Sequence, residues 1–240
     1  MVFTFYIIFM QIIWHGQSCF EIIIAKGKGD YATILIDPPS EAKTGLKAPK
    51  TGAQIVLATN GNYTAGKADL DKIAPGAFLI DSPGEYEIKD IYIRGTDFNF
   101  GKAAFAQNLG GSKKEIAKDA PAGAIYTIEA EEMKICHLGN YAAPELSPAQ
   151  VEKIGNVDIL LFPVGVGDSG AKDSLKVISQ IEPSVAVPMN YEIPKLKIAA
   201  GDLKEFLKAA GVGTVEPLAK LTVKRKDISA EEAKIVILNP

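Results

Sequence analysis

Side chains able to support catalysis or metal binding are few in this sequence, which contains two histidines and two cysteines. His15 precedes a glycine, and His137 alternates with Ile135 and Met133 along an apolar segment. A histidine on an apolar strand face is more often a hydrogen-bonded core residue than a ligand. No His-x-His, Cys-x-x-Cys or His-Glu-x-x-His spacing occurs in the sequence. The standard zinc-binding motifs are therefore excluded, and the residues alone predict no catalytic or metal centre.

Two aspartates follow apolar segments and form the next candidate pair. Asp37 comes after residues 32–36, and Asp81 comes after residues 77–80. The ends of strands are where α/β folds place their ligands, so these carboxylates are candidate cleft residues together with His15. Aspartate at a strand end also commonly caps a turn, and this second interpretation is favoured.

Charge and cysteine content narrow the class of protein. The 26 basic and 29 acidic residues give a net charge of −3. That balance argues against a nucleic-acid partner, which requires a basic surface. Cys19 and Cys136 each lie in an apolar segment, which is typical of buried free thiols in a reducing cytosol.

The first fourteen residues are nearly all apolar but are too few for a membrane helix, which needs about 20. A secretory signal would carry a basic start and a cleavage site, and neither is present. We therefore expect a cytoplasmic protein without a membrane span. We expect Met10 to be the natural start, with residues 1–9 an extension or extra strand and residues 10–240 one domain.

Strand patterns dominate the first half of the chain. Residues 20–24 and 32–36 predict a β-hairpin, and residues 86–88 and 91–93 predict another. Residues 54–59 and 77–80 predict two single strands. Residues 96–123 contain several glycines and no sustained apolar period, which indicates a long flexible loop.

The second half repeats this design. Residues 124–128 and 133–137 predict a hairpin, and the apolar run 157–162 predicts a strand buried on both faces. Helices are predicted after Ser147-Pro148, over residues 173–181 and after Asp202. Two halves that each supply a hairpin, buried strands and helices predict two packed sheets with helices outside. The expected architecture is a four-layer αββα sandwich in one domain.

Several segments, in order along the chain, resemble metallo-β-lactamase-fold proteins of the branch often called predicted zinc-dependent hydrolases. The segments are residues 12–22 (IIWHGQSCFEI), 34–38 (ILIDP), 57–65 (LATNGNYTA), 137–140 (HLGN) and 187–191 (VPMNY). The last three stand where the family carries Thr-His-Gly-His-Tyr-Asp-His, His-Ala-Gly-Asp and Ile-Pro-Met-His-Tyr. The resemblance implies the αββα sandwich of that family.

The family's metal-binding positions hold other residues in this sequence. They are Asn60, Asn62, Thr64, Ala65, Asn140 and Asn190. Zinc prefers imidazole, thiolate or carboxylate, whereas neutral asparagine is a poor ligand and alanine is none. The resemblance therefore implies the fold without the zinc chemistry, and we expect these positions to converge in a cleft that holds no transition metal and no other cofactor.

Three functional hypotheses follow. The first is a non-catalytic protein that binds a small molecule or a protein in the old active-site cleft. The second is a hydrolase of an ester or phosphoester with a rebuilt, non-standard site. The third is a structural protein, such as a homo-oligomer formed through the long loop and the exposed strand edges.

Overall fold

The computed structural model describes residues 9–27, 29–59, 65–98, 123–165, 170–228 and 233–240. Within those ranges the chain forms two mixed β-sheets that pack face to face. Short helices flank the sheets, which confirms the predicted αββα sandwich.

The first sheet contains six strands in the order β12-β1-β2-β3-β4-β5. The antiparallel strands β1, β2 and β3 are followed by β4 and β5, which run parallel to β3. Ile22, Ile24 and Ile34 point from this sheet into the core and are fully buried. The strands span Phe9–Trp14 (β1), Phe20–Gly27 (β2), Asp30–Ile36 (β3), Ile55–Leu57 (β4), Phe78–Ile80 (β5) and Leu221–Val223 (β12).

The second sheet contains seven strands in the order β13-β11-β10-β9-β8-β7-β6. Strands β6 to β9 are antiparallel neighbours, whereas β9, β10, β11 and β13 are parallel. All five residues of β10 are buried, as its unbroken apolar run predicts. The strands span Gly84–Ile88 (β6), Ile91–Phe98 (β7), Gly123–Ala130 (β8), Met133–His137 (β9), Ile159–Pro163 (β10), Val185–Met189 (β11) and Lys234–Ile235 (β13).

Five α-helices lie in the described residues. They span Glu41–Thr44 (α1), Lys67–Ile73 (α2), Pro148–Ile154 (α3), Ala171–Ile181 (α4) and Leu203–Ala209 (α5), and a 3₁₀ turn spans Arg225–Asp227. Ser147 caps α3 in a capping box with Gln150, and the Asp202 carboxylate caps α5, as the sequence predicts. No helix in the described part of the chain is long and apolar enough to cross a membrane.

The boundaries of the long loop differ from the sequence prediction. Thr96 and Phe98, predicted to be loop residues, are buried in β7, and Gly123 already belongs to β8. The Phe98 ring packs edge-on against Tyr141 at 5.4 Å, so the loop's first residues are held by core packing. The rest of the predicted flexible loop, residues 99–122, lies outside the described residues, as do residues 1–8 of the predicted extension.

Candidate functional site

The carboxyl ends of parallel strands from both sheets define the candidate site. Asp37 directly follows β3, and Thr59 lies two residues beyond β4. Asn190 directly follows β11, and Asn140 lies three residues beyond β9. Because parallel strands end at the same edge of a sheet, these polar residues come together where α/β folds bind ligands.

The turn between β1 and β2 lies at the centre of this site. Gly16 and Gln17 adopt positive φ angles of 92° and 53°, and the turn closes through a bond from Cys19 N to Gly16 O of 3.0 Å. The buried Gln17 carbonyl accepts the Trp14 indole N–H at 2.8 Å and the Asn190 backbone N–H at 3.3 Å. The turn therefore joins the first sheet to the end of β11.

Asp37 is buried and bonded chiefly to Thr59. Its two carboxylate oxygens accept the Thr59 backbone N–H at 2.7 Å and the Thr59 hydroxyl at 2.5 Å. Burial raises the pKa of Asp37 to about 6, although the bonds from Thr59 and from the Ser18 side chain oppose that shift. This aspartate ties the ends of β3 and β4 together.

His137 is the hydrogen-bonded core histidine that the sequence predicts. Its Nε2 lies 2.9 Å from the Ser18 carbonyl oxygen, and its Nδ1 accepts the Gly139 N–H at 3.0 Å. The bond from Gly139 means that Nε2 carries the proton and donates to Ser18. Burial lowers the pKa of His137 to about 4, so the ring is neutral at physiological pH with both nitrogens engaged.

Asn140 and Asn190 form a buried amide pair. Asn190 Nδ2 donates to Asn140 Oδ1 at 2.7 Å, and the two residues are only 6% and 4% exposed. They lie fifty positions apart in the sequence, and the fold brings them into direct contact.

One polar atom of the amide pair has no partner among the described residues. Asn190 Oδ1 is buried and accepts no hydrogen bond from that part of the chain. The other polar groups of Asn190 are engaged: its N–H with Gln17, its carbonyl with Gly201 N at 2.8 Å and its Nδ2 with Asn140. Its φ of 58° is held by these three bonds, which fix the direction of the unpartnered oxygen.

The remaining candidates occupy varied positions. His15 is partly buried and its Nε2 lies 3.3 Å from the Glu21 carboxylate. Asp81 is exposed, and Ala65 is buried in a small apolar cluster beside α2. Asn60, Asn62 and Thr64 lie outside the described residues. Within the described residues, no group of three or more His, Cys, Asp and Glu side chains is placed to hold a metal ion.

Sequence reasoning missed three residues of this site: Gln17, Ser18 and Thr59. Ser18 and Thr59 stabilise Asp37, and Gln17 holds Asn190. Their roles depend on contacts between distant strand ends, so no spacing pattern identifies them. The one local signal is the polar run after β1, where buried polar residues stand inside otherwise apolar sequence.

The chain belongs to the β-lactamase superfamily, because a model of the β-lactamase superfamily domain matches residues 11–190, most of its length. Together with the two packed sheets and flanking helices, this match defines the fold as the metallo-β-lactamase sandwich.

Curated relatives are identical to this chain at about a quarter of the aligned positions. A UPF0173 metal-dependent hydrolase of Thermoplasma volcanium is 29% identical over 230 residues, which cover 85% of this chain and 93% of the relative. A UPF0173 metal-dependent hydrolase of Methanopyrus kandleri is 26% identical over 206 residues, which cover 76% of this chain and 84% of the relative.

Solved structures agree with this assignment. A Thermotoga maritima protein assigned to the Zn-dependent hydrolases of the metallo-β-lactamase superfamily superposes with a TM-score of 0.70 at 27% identity, covering 95% of this chain and 98% of that protein. Igni18, a metallo hydrolase of Ignicoccus hospitalis, superposes with a TM-score of 0.60 at 17% identity over 90% of this chain and 99% of its own. At that identity the second likeness concerns the fold alone.

Proposed function

We propose that this chain is a metallo-β-lactamase-fold protein without metal-dependent hydrolase activity, and that its cleft binds a small molecule. The observation that supports this most strongly is the 2.7 Å bond between Asn190 Nδ2 and Asn140 Oδ1. This bond commits the Asn140 oxygen to a neutral donor. The resembling family carries aspartate at the position of Asn140 and histidine at the position of Asn190. A metal would have to compete with that bond for a weak ligand.

The chemistry of the neighbouring side chains also fits zinc poorly. Both nitrogens of His137 are engaged with main-chain atoms, and both oxygens of Asp37 accept bonds from Thr59. The loop positions Asn60, Asn62 and Thr64, outside the described residues, are neutral residues, and the buried Ala65 has no side-chain ligand atom. A structural zinc takes four protein ligands and a catalytic zinc takes three, so this donor set does not fit the ion.

Zinc is the group that activates water in hydrolases of this kind, by lowering the pKa of a bound water to about 7. Among the described residues, Asp37 is the carboxylate whose raised pKa suits proton transfer, but its hydrogen bonds hold it as the link between two strand ends. The geometry therefore favours binding over hydrolysis.

Zinc titration with a paired activity assay tests this proposal. Zn²⁺ is titrated by calorimetry into the full-length chain, and hydrolysis of p-nitrophenyl acetate and bis-p-nitrophenyl phosphate is then followed with and without Zn²⁺. The Thermotoga maritima protein, prepared in parallel, serves as the comparison. We expect no stoichiometric heat and no zinc-dependent hydrolysis by this chain. Saturable zinc binding with turnover of either ester would establish the rebuilt hydrolase instead.

A further inference from the structure

Two surface loops that leave the strand ends carry a cluster of lysines. One loop, residues 41–47, follows β3 and includes α1, and the other, residues 191–197, directly follows β11. Their exposed lysines, called the lysine patch below, are Lys43, Lys47, Lys195 and Lys197. The loops also hold the acidic residues Glu41 and Glu192, so four lysines and two glutamates give them a net charge of +2 in a chain whose total is −3.

The backbones of the two loops are fixed against each other. Lys197 N donates a hydrogen bond to Thr44 O at 2.9 Å. Gly45 has a φ of 80° and lies so close to the other loop that a Cβ there would overlap the carbonyl oxygen of Lys195. Each member of the lysine patch lies at one of these contacts or within two residues of it, which is at most about 8 Å of chain. The four lysines therefore belong to one small surface.

This surface adjoins the turn between β1 and β2 that carries Gln17 and Ser18. Leu46 and Ile193, one from each loop, both pack against Gly16, where a Cβ would lie 2.9 Å and 2.7 Å from their Cδ1 atoms. The lysine patch is therefore at the rim of the candidate site, on the surface and outside the buried amide pair.

The fold leaves charge on the lysine patch without a counter-ion. In the part of the chain that the structure describes, Lys47, Lys195 and Lys197 form no ion pair with an acidic side chain. Lys195 also has a φ of 71°, in the left-handed region that is unfavourable for a residue with a Cβ. Like charges collected on one surface repel one another, and an anion with several charges relieves that repulsion.

We propose that the lysine patch binds a small ligand that bears two or more phosphate groups. Each phosphate group carries a charge of about −1.5 to −2, and lysine is a common phosphate-binding residue. A surface confined to two touching loops suits a few phosphates, whereas a nucleic acid requires an extended basic stripe. This inference rests on the proposed binding function and makes it specific, because it names the chemical class of the small molecule.

Calorimetric titration of sodium tripolyphosphate into the full-length chain, without added metal ions, tests this inference. We expect saturable binding that weakens as the salt concentration rises, since salt screens exposed charges. The double variant Lys195→Gln/Lys197→Gln should lower the affinity about tenfold, because an exposed charge pair contributes up to about a fivefold effect. Lys195→Arg keeps the charge and should keep the affinity.

Lys89→Gln is the matched control. Lys89 is exposed and has a positive φ of 53° like Lys195, but it lies in the turn between β6 and β7. The control should bind tripolyphosphate as the wild type does. Melting temperatures of all variants should stay close to the wild-type value, because the substituted side chains are exposed.

The outcomes separate this inference from the function on which it rests. Absence of tripolyphosphate binding, or equal affinities of the double variant and the wild type, would overturn the polyphosphate assignment. Tighter binding of poly-L-glutamate or of a single-stranded oligonucleotide than of tripolyphosphate would also overturn it, since the surface would then serve a macromolecule. Zinc-dependent turnover in the titration described above would instead contradict the binding function itself.

Discussion

At the scale of single residues, the central feature is that the polar groups of the strand ends are paired with one another. The side-chain oxygens of Asn140 and Asp37 accept hydrogen bonds from Asn190 and Thr59. A metal or a substrate would have to displace these bonds in order to bind the same oxygens. The convergence of Asn140 and Asn190 follows from matching short segments to a known family. The contacts that hold them do not, since Gln17 and Thr59 carry no sequence pattern that points to their partners.

The amide pair should show measurable coupling. Replacing Asn140 by alanine leaves Asn190 Nδ2 buried without an acceptor, which is expected to lower the free energy of unfolding by about 1–3 kcal/mol. A double-mutant cycle with Asn190→Ala, measured by urea denaturation, should give a coupling energy of about 1 kcal/mol. The exposed control Asn156→Ala should change stability by less than about 0.5 kcal/mol. Strict additivity of the two site substitutions would show that the bond is absent in solution.

Asp37 and His137 should give opposing contributions to the pH dependence of stability. The pKa of Asp37 is raised from 3.8 to about 6, so between these pH values the folded state holds a proton that the unfolded state has lost. The stability that this proton contributes is present below about pH 4 and is lost as pH rises to 6. The pKa of His137 is lowered from 6.5 to about 4, so its contribution is present above pH 6.5 and lost as pH falls towards 4. In the wild type these two slopes largely cancel between pH 4 and 6.

Asp37→Asn removes the Asp37 contribution to the slope of unfolding free energy against pH. Relative to the wild type, the variant's unfolding free energy should rise more steeply between pH 4 and 6, by up to about 1.4 kcal/mol per pH unit. Chemical denaturation at half-unit intervals measures this difference, with the exposed Asp81→Asn as the matched control. Parallel pH profiles for Asp37→Asn and the wild type would refute the raised pKa.

At the scale of elements, the prediction succeeded where the sequence carries a strong local pattern. The hairpins, β10 and the capped helices α3 and α5 were predicted because each has a local cause in the sequence. Helices α1 and α2 were missed, because they are too short to display a helical period and, unlike α3 and α5, have no N-cap side-chain hydrogen bond. The end of β7 was missed because Gly95 and Asp97 interrupt the apolar pattern, while Phe98 is held by its distant partner Tyr141.

The turn after β9 offers a test of how closely the two sheets approach at the site. Gly139 has φ of +60°, and a Cβ there would lie 2.6 Å from Thr59 Oγ1 and 2.7 Å from Thr59 Cβ. Gly139→Ala should therefore destabilise the fold by more than the roughly 1 kcal/mol cost of positive φ, and should disturb the Asp37–Thr59 bonds. Gly76→Ala is the matched control, because Gly76 has φ of +75° but no atom within 4 Å. Equal losses of melting temperature in the two variants would contradict the close contact.

At the scale of the whole molecule, the two-sheet sandwich was predictable because both halves carry strand and helix patterns and their motifs resemble one family. The ends of the domain were less predictable. Phe9, predicted to belong to an extension, pairs with Ala25 as the first residue of β1. We propose that residues 10–240 nevertheless fold as one domain.

A chain that begins at Met10 tests that domain boundary. It keeps five of the six residue pairs between β1 and β2, namely those from Met10 to Trp14. Its melting temperature should lie within about 4 °C of the full-length value, since the loss of one terminal pair costs about 1 kcal/mol or less. A fall of more than about 10 °C would mean that residues 1–9 belong to the domain.

The most direct measurement of the central claim is elemental analysis of the full-length chain purified without chelator. The claim is that the strand-end positions are occupied by mutually bonded amides and not by a metal centre. We predict zinc, iron and manganese far below one atom per chain, with the protein folded and unchanged in melting temperature after dialysis against EDTA. One atom of any of these metals per chain, lost together with stability or activity on chelation, would contradict the account.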